Sequence, residues 1–458
     1  MILPGVQDEG WYLKVLSCPG VIVVINEVEV GGRTSQRVVI MAIGSRGDIV
    51  PMVNLARGVA RLGVETEIIG LSDYESLVDE ECGARFHSIG LSMATMREIV
   101  EEGWGKFSER DPLVEIKLLA RWLDRLKDAL VSQLIEVVEK DDLLLTGVLT
   151  RDCAAAVHRH VGCRMVTIAL SGVMPSSSPE SCLYVTPSKA PAWLRRVRAR
   201  LGWRFVTGVS RSAAREVDRR LRNRRVKTPR SKSSGGRRTI LAASPTLVPR
   251  APDWGPRIVQ TGYPLEVGPG VEPNDDGVLE VLEGGAPCAY VGFGSPGENS
   301  EALWRRLERE IVLAAELAEV NVILPSSRYV SPGWVSPNVF SVGEVDHRWL
   351  FPKVDAVIHH GGAGTTMSGL VSGTPSCVAS FAFDQDYHGR RLADLGVGPA
   401  PMRVDDVDAR ALESRLSAMT HGSQGERYRA RARELSQAVL GEEGLERTVD
   451  AVLASLRE

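Results

Sequence analysis

A turn rich in glycine and threonine holds the residues whose types and spacing best suggest chemistry. It reads His-His-Gly-Gly-Ala-Gly-Thr-Thr over residues 359–366, after an apolar run and before a helical pattern. Glycines let a ligand approach the main chain, and the start of a helix directs unpaired N–H groups and a positive dipole end at an anion. A histidine ring nitrogen and threonine hydroxyls add further donors. The pattern predicts a diphosphate site.

The alternative interpretation of this turn is close packing of two elements, with histidines that merely end a strand. A lone Gly-x-Gly is common in unrelated proteins. A histidine pair followed by Gly-Gly-x-Gly-Thr-Thr is far less generic, so we favour the anion site. The predicted donors are His360, Gly362, Gly364, Thr365 and Thr366.

A second glycine turn carries an acidic residue. Residues 37–43 are predicted to form a strand that is apolar after Arg37, residues 44–51 read Gly-Ser-Arg-Gly-Asp-Ile-Val-Pro, and residues 52–62 show a helical pattern. A strand followed by a tight turn and a helix is typical of the start of a doubly wound parallel sheet. Such sheets bind ligands beyond the carboxyl ends of their strands. Asp48 is therefore expected in a ligand cleft. Its alternative role is to cap the helix, which stabilises by about 1 kcal/mol.

These two turns resemble those of nucleotide-sugar glycosyltransferases with the GT-B fold. The resemblance is closest to the branch of sterol glucosyltransferases and actinobacterial antibiotic glycosyltransferases, and it covers about residues 37–398. It implies an α/β protein with two Rossmann-like, doubly wound parallel-sheet domains that face each other across a cleft. It also implies an inverting, metal-independent hexosyltransferase without a cofactor. Its donor would be a UDP- or dTDP-sugar and its acceptor a hydroxyl of a lipid, sterol or natural product, as in antibiotic biosynthesis.

The resemblance also implies residue roles. Asp48 would be the base that deprotonates the acceptor, where related macrolide and plant enzymes carry a histidine oriented by an aspartate. The partner's position is here Gly147, so Asp48 would act alone, and it would need burial because an ordinary aspartate is a weak base. The nucleotide and its diphosphate would be bound by Ser45, Ser295 and the main chain of Val345, together with the donors of the 359–366 turn. The sugar would be bound by Asp384 and Gln385.

The base site departs from the family pattern. Relatives usually carry an aromatic residue where this chain has Glu344, and Trp349 is either a substitute stacking ring or a core residue. The sequence therefore leaves both uracil and thymine open as the base of the nucleotide-sugar donor.

A dinucleotide fingerprint, Gly292-x-Gly-x-x-Gly297, offers a nicotinamide-binding alternative. The fingerprint expects an acidic residue at the end of the second strand, and that strand, residues 320–324, ends in Pro-Ser-Ser. Pro296 also removes a donor that a phosphate would use. We therefore favour the glycosyltransferase interpretation. Two alternative functions remain open: a nucleotide-sugar epimerase, which can share this fold, and a non-catalytic helper protein.

Composition divides the chain further. Residues 1–36 are interpreted as a dispensable extension; they could be an ordered extra strand pair, a disordered extension or an artefact of start-codon choice. Residues 37–245 would form the acceptor domain, 246–273 a proline-rich linker, 274–424 the donor domain, and 425–458 a helix that braces both domains.

Residues 189–238 hold eighteen Lys and Arg but only two acidic residues, with apolar residues interleaved. The favoured interpretation is a solvated surface, and the alternatives are an anionic membrane, an acidic acceptor or nucleic acid. The chain's formal net charge of −3 gives no global field that argues for nucleic acid or for a membrane. Its seven scattered cysteines and the lack of a signal peptide predict a cytoplasmic protein, peripheral at the membrane if the basic segment binds lipid. The expected oligomeric state is a monomer or homodimer.

Overall fold

The computed structural model describes residues 17–18, 21–22, 36–78, 80–99, 112–178, 190–222, 238–294 and 301–457. The chain forms two compact units, residues 1–35 and 36–458. In the first unit the described part is an antiparallel pair, Ser17–Cys18 (β1) with Val21–Ile22 (β2). The rest of the predicted extension lies outside the described residues.

The first half of this unit is built on a seven-stranded parallel sheet. Its strands are Val38–Ala42 (β3), Thr66–Gly70 (β4), Arg85–Ser88 (β5), Leu143–Thr146 (β6), Arg164–Ala169 (β7), Thr239–Leu241 (β8) and Ile258–Gln260 (β9). Their order in space is β5-β4-β3-β6-β7-β8-β9, and every pairing is parallel. The winding reverses between β3 and β6, so the loop after β3 opens into the crevice where such sheets bind ligands.

The helices of this half are Arg46–Arg61 (α1), Pro112–Val137 (α2), Arg151–Val161 (α3), Ala192–Thr207 (α4) and Arg211–Leu221 (α5). Helices cover both faces of the sheet, which is why β3 and β6 are buried along their whole length and are apolar almost throughout.

The second half repeats this architecture. Its strands are Cys288–Gly292 (β10), Asn321–Pro325 (β11), Gly333–Ser336 (β12), Val339–Val342 (β13), Ala356–His359 (β14), Ser376–Ser380 (β15) and Met402–Arg403 (β16). The order is β12-β13-β11-β10-β14-β15-β16, with β12 as the antiparallel edge strand. Two sheets of this kind confirm the predicted fold class.

The helices of the second half are Asp276–Glu283 (α6), Glu301–Ala318 (α7), His347–Leu350 (α8), Ala363–Ser372 (α9), Gln385–Asp394 (α10), Ala409–Thr420 (α11), Gly422–Leu440 (α12) and Gly444–Arg457 (α13). Short 3₁₀ helices span Ser72–Leu77, Glu80–Cys82, Gly208–Ser210, Phe351–Lys353 and Val404–Asp406. Within the ranges described above, no helix combines the length and the apolar character that crossing a membrane requires.

Three boundaries differ from the sequence expectations. Strand β9 lies inside the predicted linker and extends the first sheet by pairing with β8. Helix α1 begins at Arg46 rather than at Met52, which brings Asp48 into its first turn. The predicted C-terminal helix is two helices, of which α12 packs on α9 and α13 on α1.

The chain returns to the first half between α12 and α13. The Glu442 carboxylate oxygen Oε1 accepts hydrogen bonds from the Ser244 hydroxyl at 2.8 Å and from the Thr246 hydroxyl at 2.7 Å. Next to it, Gly262 and Gly444 pass so closely that a Cβ on Gly262 would lie 2.7 Å from the Gly444 Cα. The outgoing and returning segments therefore run side by side.

Candidate active site

Asp48 is held in the first turn of α1 by the N-cap residue Ser45. The Ser45 N–H and hydroxyl both donate to Asp48 Oδ2, at 2.9 and 3.0 Å. Asp48 thus takes part in capping α1, which was the structural alternative for this residue. Both hydrogen bonds use Oδ2, so Oδ1 is the oxygen left to receive a proton.

Burial raises the pKa of the Asp48 carboxyl from its ordinary 3.8 to about 6. The two Ser45 hydrogen bonds oppose this shift, and the negative charge of Asp384 adds to it. A carboxylate whose conjugate acid titrates near neutrality accepts a proton more readily than an ordinary aspartate. The local structure therefore supplies the raised pKa that a lone aspartate base would require.

The 359–366 turn forms the start of α9. Gly362 is the N-cap, and the helix's first hydrogen bond runs from the Thr366 N–H to the Gly362 carbonyl at 2.9 Å. The N–H groups of Ala363, Gly364 and Thr365 precede that bond, so they are the donors a helix start leaves to an external acceptor. They follow the end of β14, an interior strand of the second sheet that lies between β10 and β15.

Of the two threonines, Thr366 uses its hydroxyl within the turn itself. Its side chain is fully buried and its hydroxyl donates to the Gly362 carbonyl at 2.9 Å. That hydroxyl stabilises the turn rather than serving as a free donor. Thr365 is half-buried and remains the threonine available to an anion.

The His360 ring occupies a slot between two glycines. A Cβ at Gly294 would lie 2.7 Å from the ring's Cε1, and a Cβ at Gly362 only 2.4 Å from its Nε2. Any larger residue at either position would displace the ring. Burial lowers the pKa of His360 to about 4, with the neighbouring His347 contributing in the same direction. The ring is thus neutral near pH 7 and has one N–H to donate.

Gly361, just before the N-cap, is fixed by two buried histidines. Its N–H donates to Nδ1 of His359 at 3.0 Å, while its carbonyl accepts from Nδ1 of His388 at 2.8 Å. Gly361 has φ of +91°, a conformation that favours glycine. The two histidines therefore set the orientation of the peptide that leads into the predicted anion site. Sequence reasoning assigned no role to His388.

Asp384 and Gln385 lie at the start of α10, after β15. Asp384 is half-buried, whereas Gln385 is buried and its Oε1 accepts from the N–H groups of Phe381 and Ala382, at 2.7 and 3.1 Å. The Gln385 carbonyl is therefore committed to its own loop. Its NH₂ group is the part of the side chain that can still donate to a sugar hydroxyl.

The loop before Asp384 reaches the first half of the unit. Phe383 adopts φ of +58°, which is rare for a residue other than glycine, and its N–H donates to Glu115 of α2 at 3.3 Å. Backbone strain of this kind often occurs at functional sites.

On the nucleotide side, Val345 is half-buried between β13 and α8. Trp349 is only 8% exposed and packs into the core beneath this region, so the core alternative holds for it. Glu344, which replaces the usual aromatic residue, forms an exposed ion pair with Arg46 of α1 at 2.7 Å. Ser295 lies outside the described residues.

Tyr263 connects the two helix starts. Its hydroxyl lies 3.5 Å from the Gly47 carbonyl oxygen in α1, and a Cβ at Gly364 in α9 would lie 3.4 Å from the same hydroxyl. Burial raises the pKa of Tyr263, and the charges of Asp48 and Asp384 raise it further. The predicted base, the predicted sugar-binding carboxylate and the start of α9 therefore surround one buried phenol, which sequence reasoning had assigned only to the linker.

Two family models match the chain. The glycosyltransferase family 28 N-terminal domain matches residues 38–137, which include Asp48. The erythromycin biosynthesis protein CIII-like C-terminal domain matches residues 311–450, which include the 359–366 turn.

Curated relatives include sterol glucosyltransferases. The chain is 27% identical over 446 residues to sterol 3-beta-glucosyltransferase UGT80A2 of Arabidopsis thaliana, and the match covers 92% of this chain and 66% of the relative. It is 28% identical over 453 residues to a sterol 3-beta-glucosyltransferase of Aspergillus oryzae, with 92% of this chain and 30% of the relative covered. The chain thus spans just under two thirds of the plant relative and less than a third of the fungal one.

Solved structures with a similar fold include bacterial-metabolite and other glycosyltransferases, two of which illustrate the fold. The calicheamicin glycosyltransferase CalG4 aligns with a TM-score of 0.61 at 18% identity, covering 93% of this chain and 99% of that one. The glycosyltransferase VinC in complex with dTDP aligns with a TM-score of 0.60 at 17% identity, covering 92% and 100%. The fold is that of GT-B glycosyltransferases, and the family models and curated relatives show that the chain resembles the branch of sterol and antibiotic glycosyltransferases.

Proposed function

We propose that this protein is an inverting, metal-independent glycosyltransferase. It moves a hexose from a UDP- or dTDP-sugar to a hydroxyl of a sterol, lipid or natural product. The observation that supports the proposal is the contact of Tyr263 with the starts of both α1, which carries Asp48, and α9, which is the predicted diphosphate site.

In this reaction Asp48 takes the proton of the acceptor hydroxyl while that oxygen attacks the anomeric carbon. The raised pKa of Asp48, about 6, supports this role, since the group is ionised at neutral pH yet binds a proton readily. Because attack and departure occur on opposite faces of the sugar, one such displacement inverts the anomeric configuration.

The leaving diphosphate gains negative charge as the glycosidic bond breaks. The N–H groups at the start of α9, the Thr365 hydroxyl and the single N–H of His360 would donate to this charge, and the helix start and the His360 slot hold their donors in place before the reaction. Removing one preorganised donor of this kind costs about 3 kcal/mol in well-studied sites. These donors can meet the developing charge without a metal ion.

On the sugar, the Asp384 carboxylate accepts from one hydroxyl and the Gln385 NH₂ group donates to a neighbouring one. The Gln385 carbonyl holds the loop in shape at the same time. Thymidine and uridine diphosphates both fit this proposal. The bound dTDP of VinC belongs to a protein with 17% identity, so it supports the class of donor but not the base.

The test is a donor-by-acceptor screen of the purified chain with and without EDTA. UDP- and dTDP-hexoses are each combined with sterols, lipids and natural products, and products are read by mass spectrometry. We expect a glycoside with inverted anomeric configuration by NMR, formed equally in EDTA, and slow release of free sugar without acceptor. An epimerase would instead yield a new nucleotide-sugar, and a helper protein would do neither.

Asp48→Asn provides the matched variant, since its amide oxygen can still accept from Ser45. Transfer should fall about 100-fold or more, the usual range for loss of a general base, while binding of UDP or dTDP by calorimetry is kept. Undiminished transfer would remove the assignment of the base.

A further inference from the structure

Helix α4 carries an apolar stripe that nothing in the described chain covers. Trp193, Val197, Leu201 and Phe205 recur every four residues and are 67%, 45%, 49% and 47% exposed. Most large apolar side chains of this protein are buried, so four exposed ones in one line are unusual. Contiguous exposed apolar surface of this kind marks an interaction site more often than an accident of composition.

Arginines border the stripe. Arg198 follows one edge, Arg196 and Arg200 the other, and Arg204 lies near its C-terminal end; α4 contains no acidic residue. Arginine side chains can lay their apolar stems along such a stripe while the guanidinium groups remain in a polar layer. The partner of this surface must therefore be apolar at its centre and negatively charged around it.

The opposite face of α4 is fixed to the protein. Ala199 and Gly202 are buried, and Arg195 donates through Nε to the Ser177 carbonyl at 2.7 Å. Ser177 in turn donates through its N–H to Asp253 at 2.7 Å. The helix is thus a rigid platform that presents its apolar face outward, rather than a loose segment that could fold its stripe back onto the core.

We infer that α4 is a docking helix for a lipid bilayer rich in anionic headgroups. It lies in the plane of the membrane interface, with its apolar stripe among the acyl chains and its arginines against the headgroup phosphates. This pairing of Trp, Leu and Phe on one face with a basic border is typical of interfacial helices. The basic composition of residues 189–238 favours an anionic bilayer over a neutral one and over a second copy of this chain, which would bring two arginine-rich faces together.

The position of α4 determines which loop of the protein would approach the membrane. Ser177 belongs to the loop that follows β7, on the side of the first sheet where the carboxyl ends of the strands open into the crevice. Docking through α4 brings that loop to the membrane surface. The inference does not rest on the proposed transfer reaction, because membrane binding is measured without turnover.

The experiment is flotation of the full chain with vesicles of phosphatidylcholine, alone or with about 30 mol% phosphatidylglycerol, at low and high salt. The expected result is binding to the anionic vesicles only, weakened at high salt. Trp193→Ser with Leu201→Ser should reduce the bound fraction about tenfold, since it removes much of the inserted apolar area. Arg198→Glu with Arg200→Glu should reduce it as well.

The matched control is Leu313→Ser with Leu317→Ser on α7, two leucines that are 50% and 61% exposed far along the chain from α4. Binding of this control should equal that of the wild type, and circular dichroism should show all variants folded. The inference is overturned if the wild type ignores anionic vesicles, if it binds neutral ones equally, or if the α4 and α7 variants behave alike. Self-association that the α4 variant abolishes, without vesicle binding, would assign the stripe to a dimer instead.

Discussion

The hydroxyl of Tyr263 lies 3.5 Å from the carbonyl oxygen of Gly47. This pairing is explained by the residue four positions further along α1. In a regular helix that carbonyl would accept from the N–H of residue 51, but residue 51 is a proline and has none. The proline therefore leaves an acceptor open, and the phenol fills it across the space between the two helix starts.

This pairing predicts non-additive stability. Tyr263→Phe leaves the Gly47 carbonyl without its partner and should lower the free energy of unfolding by about 1 kcal/mol. In a Pro51→Ala background the alanine N–H supplies the missing donor, so the same Tyr263→Phe change should cost much less. A thermodynamic cycle from urea unfolding measures the difference. Equal costs in both backgrounds would show that the phenol and the carbonyl do not interact.

The raised pKa of Asp48 predicts an acidic limb in the pH–rate profile. The carboxyl must be ionised to accept a proton, so the transfer rate should rise with pH, reach half its maximum near pH 6 and level off above that. Ser45→Ala removes a hydrogen bond that lowers this pKa, so the limb should move to higher pH. Ser45→Thr keeps a hydroxyl and serves as the control. A limb that moves to lower pH in Ser45→Ala would contradict the assignment.

The two adjacent threonines should differ in what they affect. Thr365→Val removes a hydroxyl at the start of α9 and should weaken UDP or dTDP binding about tenfold, as expected for a hydrogen bond to a charged group, with no change in melting temperature. Thr366→Val removes the bond to the Gly362 carbonyl and should lower the free energy of unfolding by about 1 kcal/mol. Calorimetry and thermal unfolding of both variants test the pair. Similar behaviour of the two would mean that the hydroxyls are not divided between ligand and turn.

His388 should affect donor binding without touching the donor. His388→Phe leaves the buried carbonyl of Gly361 unpaired, so we expect both lower stability and weaker binding of the nucleotide. His388→Asn can place an amide N–H close to the position of Nδ1, and it should restore binding in large part. Failure of the asparagine to rescue, with equal folding by circular dichroism, would mean that the ring's bulk rather than its hydrogen bond is required.

Strands covered on both faces were the most predictable part of the fold. Strands β3 and β14 are nearly continuous apolar runs with β-branched residues, and the glycine turns that follow them mark where the helices start. Strand β9 was not predictable in this way, because Ile258–Gln260 is only three residues long and lies in a segment dominated by proline and glycine.

Within the site, residue types were predictable but the assignment of each polar atom was not. Gln385 and Thr366 have the chemistry expected of ligand-binding side chains, yet the Gln385 carbonyl and the Thr366 hydroxyl are bonded to the main chain of their own loops. Trp349 could stack on a base by composition alone, but packing places it in the core. The role of each polar atom and of Trp349 depends on tertiary contacts. The spacing of residues along the sequence does not specify those contacts.

The side-by-side passage of the chain at Gly262 and Gly444 restricts how the halves can separate. Two covalent connections that nearly touch leave one axis of rotation and forbid the halves from sliding apart. Glu442 anchors the returning connection to Ser244 and Thr246, so the axis lies beside the end of the first sheet. Opening and closing would thus be a rotation of one half against the other about this single axis.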